Sequence, residues 1–304
     1  MTPILAIVGP TASGKTSLAV QVGHRLGGEV VSTDSMQVYQ GMNVGTATPS
    51  ALEQDGVVHH MLDIWSPDHD VTVADFQTYA RSAINDVRSR GHVALVTGGS
   101  GLYVAAVIDD LEFPGADPEV RSRLEDEADE QGKAAMHARL CRIDPEAAAI
   151  IPASNVRRVI RALEVNEITG TRYVAQLPQP SSVYPAALVG LRIPRVAMDA
   201  RISDRVDAMF ASGFIDEVAD LVAHEVVLGR TAARALGYAQ ILALLRGEMD
   251  VERAREETID ATKRFARRQQ RWFARDTRIQ WLDFDAPDLV DQVCQVWARG
   301  ETRT

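Results

Sequence analysis

The segment Gly9-Pro10-Thr11-Ala12-Ser13-Gly14-Lys15-Thr16 follows a short apolar run, Pro3 to Val8, and precedes a stretch whose apolar residues Leu18, Ala19, Val22 and Leu26 recur at helical spacing. The pattern G-x-x-x-x-G-K-[ST] constrains the fold strongly. Its glycines must let backbone N–H groups converge on phosphate oxygens, and the dipole of the following helix must point at the same place. Strand, loop and helix are therefore expected in that order, with Gly9 to Thr16 cradling phosphate, Lys15 on a terminal phosphate oxygen and Thr16 as a ligand of Mg2+. The loop does not say whose phosphates it holds. Nucleotide kinases and NTPases usually end a second apolar strand in an acid that helps hold the metal. Here the strand Val93 to Val96 runs into Thr97-Gly98-Gly99-Ser100-Gly101, and the acid instead follows the strand Glu29 to Ser32, as Asp34. A phosphate ligand other than a nucleotide fits that arrangement.

The rest of the chain continues the alternation. A helix is predicted from Val73 to Arg90 between the strands Glu29 to Ser32 and Val93 to Thr97, and alternating strands and helices imply a parallel sheet covered on both faces. At Pro114-Gly115-Ala116-Asp117-Pro118 the pattern changes to charged helical sequence that lasts to about Ile168, before Ala186 to Ile193 resumes strand character. The fold class is thus α/β, a P-loop core with a parallel sheet flanked by helices. The core spans 1–113 and 186–304, with a helical insertion domain at 114–185. Helix to about Arg275, a strand at Ile279 to Leu282 and a closing helix complete the core. Trp65, Trp281 and Trp297 are read as core aromatics. Adjacent His59 and His60 point different ways on either a strand or a helix, so joint metal ligation is not expected. Cys141 and Cys294 lack metal or redox spacing and read as reduced thiols, which excludes a zinc finger. No apolar run approaches the roughly 20 residues of a membrane span and no basic leader precedes the first strand, so a cytoplasmic protein is expected.

A net charge of −10 argues against a polyanionic partner until its distribution is considered. Lys263, Arg264, Arg267, Arg268, Arg271, Arg275 and Arg278 fall in a stretch that contains one acid, Asp276, and Arg157, Arg158 and Arg161 form a second cluster. At helical spacing the first group makes one basic face suited to a phosphate backbone, with Phe265, Trp272 and Phe273 turned to the core.

Taken together, GPTASGKT, DSMQVYQGMNVGTATP (34–49), GGSGLYVAAVIDDL (98–111), RRVIRALEV (157–165), SGFIDEV (212–218), ARALGYAQ (233–240) and RFARRQQRWF (264–273) resemble tRNA dimethylallyltransferases, in the family's order and over nearly the whole chain. The resemblance implies transfer of a dimethylallyl group from dimethylallyl diphosphate to the exocyclic N6 of the adenosine 3′ of the anticodon. It implies a P-loop that binds the donor's diphosphate with Mg2+, Arg234 as a further diphosphate ligand, and an insertion that clamps the anticodon stem-loop. It carries over Asp34 as the group that engages the adenine amine and Ser100 as the hydroxyl near the bridging oxygen. Contacts with tRNA carry over to Arg121, Arg157, Arg158 and Arg161, and the expected tRNA-contacting set also takes in Asp34, Ser35, Met36, Gln37 and Ser100 together with Arg264, Arg267, Arg268 and Arg271 of the basic face, in a chain expected to be a monomer. Ser100 stands where many relatives have Thr, Thr48 where Lys is frequent and Ala239 where Arg is frequent. The stretch 151–155 lacks the usual His-Pro-Asn-Asp.

The chemistry suits these groups. An adenine amine is a poor nucleophile, so the leaving diphosphate must be strongly stabilised, and a carboxylate such as Asp34 can take the proton that the amine sheds. The rival readings are a P-loop small-molecule or nucleoside kinase and a non-catalytic nucleotide-binding RNA-binding protein. Neither accounts for a Gly-Gly-Ser-Gly turn where the metal-binding acid should be.

Overall fold

Five apolar residues in a row can bury both faces of a strand, and Ile4–Val8 (β1) does so in the interior of a parallel sheet. The computed structural model describes residues 3–224, 226 and 228–301. The remaining strands are Gly28–Ser32 (β2), His59–His60 (β3), Val93–Gly98 (β4), Ala186–Arg192 (β5) and Gln280–Asp283 (β6). Their spatial order is β3-β2-β4-β1-β5-β6, with every pairing parallel. Along β1 the side chains alternate as a pleat requires. Ile4, Ala6 and Val8 join the core on one face, while Leu5 and Ile7 join the core on the other.

In chain order the helices are Lys15–Leu26 (α1), Ala51–Gln54 (α2), Val73–Ser89 (α3), Gly101–Ile108 (α4), Pro118–Ile143 (α5), Pro145–Ile150 (α6), Val156–Thr169 (α7), Arg195–Ala211 (α8), Phe214–Ala223 (α9), Tyr238–Leu245 (α10), Val251–Phe273 (α11) and Leu289–Glu301 (α12), with a 3-10 turn at Ala232–Arg234. Leu18 and Val22 of α1 and Val293 and Val296 of α12 cover one face of the sheet, and Phe76 and Ile84 of α3, Val104 of α4 and Phe214 of α9 pack on the other. Helix α3 starts where Thr72 and Asp75 exchange side-chain and backbone hydrogen bonds in a capping box, which contributes on the order of 1 kcal/mol. None of the helices in the described residues is long and apolar enough to cross a membrane.

The chain divides into two compact units, one made of the chain up to Asp110 together with that from Ser181 onward, the other of Leu111–Pro180. The second unit has its own apolar centre, with Leu124, Met136, Leu140 and Leu163 buried among its helices.

Two details depart from the sequence reading, the third strand and the tryptophans, whereas the cysteines are free as expected. Strand β3 has no apolar signature because it is a two-residue edge strand whose His60 ring bonds the buried Glu29 carboxylate (Nε2–Oε2 2.7 Å), while the His59 ring bonds Val57 O at 2.9 Å. Arg90 and His92 share the same carboxylate, and the Arg90 guanidinium holds Glu29 down to about pKa 2. Trp65, Trp281 and Trp297 are half-buried at the rim of the core rather than inside it; the Trp297 indole donates to Pro3 O at 3.3 Å. Cys141 is exposed and Cys294 half-buried, both free.

Candidate active site

Because the sheet is parallel, its loops collect at the carboxyl ends of the strands, where ligands of such folds bind. Val8 pairs with Gly98 and Ser32 with Thr97, so β1, β4 and β2 end side by side. They release the phosphate loop, the Gly99-Ser100 turn and Asp34 respectively toward the same edge. The residues expected to do chemistry thus come from three adjacent strands.

Lys15 and Thr16 open α1, as the motif requires, and the Lys15 ammonium donates to Pro10 O at 2.6 Å. Not every loop residue can donate to phosphate. Pro10 has no N–H, and the Thr11 N–H is taken by the Gln269 side chain at 2.8 Å. That leaves Ala12 to Thr16 and the Lys15 ammonium to face an anion, and the Ser13 hydroxyl is buried without a hydrogen-bond partner. A cleft of ≈ 960 Å³ opens beside these residues, bounded by Ala47, Pro49, Leu52 and Arg205, and its volume is usual for a small-molecule site.

Two cations that the sequence reading missed come from α8. Arg201 donates from Nε to Ala12 O at 2.7 Å, and Arg205 lies close enough to repel Lys15. Burial, then Arg205, pulls the Lys15 ammonium down to about pKa 7 against the opposing pull of Asp34. Burial also lowers Arg205, again opposed by Asp34. Lys15, Arg201 and Arg205 thus gather at the phosphate loop, as an anion requires, among acids that also act there, Asp34 on both Lys15 and Arg205 and Glu53 on Arg205. Arg205 has the spacing of an ordinary amphipathic helix, so nothing local distinguished it from its neighbours. Arg234, the expected diphosphate ligand, is exposed at the end of its 3-10 turn.

The depressed Lys15 gives a pH prediction. Where the free protein holds this amine near pKa 7 and an anion needs it protonated, binding takes up a proton. Affinity for an organic diphosphate should then fall as pH rises from 7.5 to 9, by up to about tenfold per unit, in a range where its terminal phosphate, with a second pKa of about 6, no longer titrates. Calorimetry in buffers of different ionisation enthalpy measures the uptake directly. Lys15→Met should abolish it, and a pH-independent affinity in the unaltered protein would remove Lys15 from the site.

Asp34 is half-exposed, and its Oδ1 accepts from Met36 N at 2.9 Å, so one oxygen already builds the following turn. Beyond that turn Gln37 accepts from Ser32 Oγ at 2.9 Å and donates to Ala47 O at 3.2 Å. Farther along, Glu217 in the first turn of α9 accepts from the backbone N–H groups of Asn43 (2.8 Å), Val44 (2.6 Å) and Gly45 (3.1 Å) and from the Tyr238 hydroxyl (2.6 Å). Ala47 and Pro49, on the same loop, line the cleft. Glu217 is thus a determinant of the site's shape that the sequence reading did not single out. Ser100 is the N-cap of α4, yet its hydroxyl makes no capping bond and is left for another partner.

Helix α11 carries the expected basic face. Arg264, Arg268 and Arg271 are exposed, Arg267 is half-buried, and none of the four forms an ion pair among the described residues. Two expectations for this region fail. Arg278 lies beyond the end of α11 and is clamped to Asp109 (2.6 and 3.0 Å) and Asp276, so it does not extend the face. Phe273 is buried, but Phe265 is half-buried and Trp272 is 38% exposed, its ring lying against Gly101 at the start of α4. In the second unit Arg121 and Arg161 share the buried Glu164 (2.7 and 2.9 Å), Arg158 donates to Ala175 O, and Arg157 is exposed. Among the described residues no cluster of three or more His, Cys, Asp or Glu is placed to hold a metal.

A family model described as IPP transferase matches residues 37–276. Over 297 residues the chain is 52% identical to a tRNA dimethylallyltransferase of Thermobifida fusca (strain YX), across 96% of this chain and 93% of that one. A tRNA dimethylallyltransferase of Nocardioides sp. (strain ATCC BAA-499 / JS614) is 50% identical over 298 residues, across 98% of this chain and 96% of the other. The crystal structure of the full-length tRNA isopentenylpyrophosphate transferase from Bacillus halodurans matches with a TM-score of 0.73 at 37% identity, across 99% of each chain.

Proposed function

The chain belongs to the tRNA dimethylallyltransferase family, and from that premise we propose that its active site moves a dimethylallyl group from dimethylallyl diphosphate onto N6 of the adenosine 3′ of the tRNA anticodon, releasing diphosphate. The observation that carries this reading is the pair Lys15 and Arg205 facing Asp34, beside a strand β4 that ends in Gly-Gly-Ser where a kinase would place a metal-binding acid.

As the C1–O bond of the donor breaks, its electron pair goes to the diphosphate oxygen. The amides of Ala12 to Thr16, the Lys15 ammonium, the Arg205 guanidinium and the Ser100 hydroxyl stabilise that growing charge more than they stabilise the intact donor. N6 of adenine forms the new bond to C1 and passes one proton to Asp34, whose second carboxylate oxygen is not used by the Met36 turn. Thr16, exposed at the start of α1, would hold Mg2+, which needs few protein oxygens when phosphate and water supply the rest and which adds charge neutralisation on the diphosphate. The target base must leave its stack to reach Asp34, at a cost that is smaller in an unpaired loop than in a duplex. A tRNA substrate implies a cytoplasmic reaction, carried out by a chain that we take to act as a monomer.

Incubation with unmodified tRNA, Mg2+ and either labelled dimethylallyl diphosphate or labelled ATP tests this reading. Label from the isoprenoid should appear on the RNA, and ATP turnover without it would replace the reading with the kinase alternative. The basic face of α11 gives a second expectation. Log affinity for an anticodon stem-loop should fall with log salt by about 0.7 to 0.9 per phosphate neutralised. Arg267→Ala with Arg268→Ala should flatten that slope by about one to two phosphates' worth. An unchanged slope would make this a solvated face with no part in RNA binding.

A further inference from the structure

We infer that Gln269 is a positioning residue that holds the phosphate loop and the Ser100 turn at one fixed spacing. The inference rests on the proposed transfer reaction, in which the two loops act together on one departing diphosphate.

The turn that carries Ser100 cannot hold itself. Glycines on either side of Ser100 leave the backbone soft, with no side chain of their own to wedge it. Helix α11 supplies the wedge. Gln269 is 5% exposed, a polar residue on a helix face otherwise formed by Ala266 and Phe273. Its Oε1 accepts from Thr11 N at 2.8 Å, a bond that links residues 258 apart in sequence. Its amide nitrogen occupies the space a Cβ would need at Gly99, 2.4 Å from that position, with Gly9 O 3.1 Å from it. One helical turn later the Trp272 ring lies 2.0 Å from where a Cβ on Gly101 would stand. Both glycines beside Ser100 are therefore pressed by α11, and one of the pressing side chains also grips the phosphate loop. An amide suits this place. It accepts from Thr11 without bringing a negative charge beside a diphosphate, as a glutamate would.

The test uses the full chain with an anticodon stem-loop, dimethylallyl diphosphate and Mg2+. Gln269→Met keeps the volume and removes the acceptor, so the thermal midpoint should fall only by what the orphaned Thr11 N–H costs, less any part that water recovers. At saturating substrates kcat should fall roughly ten- to a hundredfold, as expected when reacting groups are misplaced by a fraction of an ångström to an ångström, with KM for the RNA within about twofold of the original value. Gln269→Glu restores an acceptor for Thr11 and should recover part of kcat while weakening the binding of inorganic diphosphate. Val293→Ala, in the core on the other face of the sheet, is destabilised without touching either loop and should keep its kcat at a temperature where it is folded.

Three results would each overturn the inference. One is a Met variant with unchanged kcat and a raised KM for the RNA, which makes Gln269 an RNA contact. Another is a Glu variant no faster than Met, which shows that the Thr11 bond is not the operative one. The third is a Val293→Ala loss of kcat equal to that of Met, which assigns the effect to stability. Failure of the underlying reading looks different, because the unaltered protein would then transfer no isoprenoid to RNA.

Discussion

Asp34→Asn should bind dimethylallyl diphosphate within a few-fold of the original protein and transfer it roughly 10²- to 10⁴-fold more slowly. The substitution is informative because the carboxylate has two separable roles. Its Oδ1 builds the turn to Met36, a bond that an asparagine oxygen makes equally well. What asparagine cannot supply is the negative charge felt by Lys15 and Arg205, or a site for the proton that N6 releases. The comparison belongs near pH 7, since removing the carboxylate also removes the one influence that raises Lys15, and at higher pH donor binding would weaken for that separate reason. Single-turnover transfer with donor and RNA saturating isolates the step. A rate within a few-fold of the original would reduce Asp34 to a turn-former and leave leaving-group stabilisation to explain the reaction.

What could be read from the sequence was what is local in it. The phosphate loop, the strands beside it and the helix from Val73 each declare themselves within a dozen or so residues, and the structure places them as expected, apart from shifts of a residue or two at the ends. The order of β1, β4 and β2 cannot be read that way, although it is what sets Asp34 and Ser100 beside the loop. Strand β3 escaped because a two-residue edge held by Glu29 needs no apolar pattern. Arg205 and Gln269 escaped for a different reason. Each reaches the loop from a helix far along the chain, and a helical pattern reports which face is buried without reporting what that face touches. Gln269 did leave a trace, since a polar residue inside the apolar stripe of α11 needs a buried partner. Counting charges along the sequence was also a poor guide to which arginines are available. Arg121 and Arg161 are spent on Glu164 and Arg278 on Asp109, whereas Arg264 and Arg268 remain exposed.

Glu217→Ala should cost about 3–5 kcal/mol of stability, a large share of the roughly 5–15 kcal/mol that holds a folded domain. The side chain accepts from three successive backbone N–H groups, those of Asn43, Val44 and Gly45, and from the Tyr238 hydroxyl. An alanine leaves all of these donors without an acceptor. Each costs about 1–3 kcal/mol where water cannot replace the carboxylate, and Glu217 is half-buried, so water recovers some of the total. Gly45 is also packed so tightly against Phe214 and Tyr238 that a Cβ there would come within 2.1 Å of the Phe214 ring, which leaves the freed loop little room to re-form elsewhere. Glu217→Gln keeps a neutral acceptor and should lose about 1–2 kcal/mol, and Tyr238→Phe, which removes one donor together with its need, should lose least. The damage should appear locally before it appears globally. Amide exchange at 43–45 should speed up under conditions where the sheet stays protected. Donor binding should weaken as well, since Ala47 and Pro49 of this loop line the cleft and Gln37 is tied to Ala47 O. Thermal unfolding and amide exchange of the three variants decide the matter. An alanine variant as stable as the original, with slow exchange at 43–45, would mean that the loop is held by its packing on Phe214 and Tyr238, and that the carboxylate is dispensable.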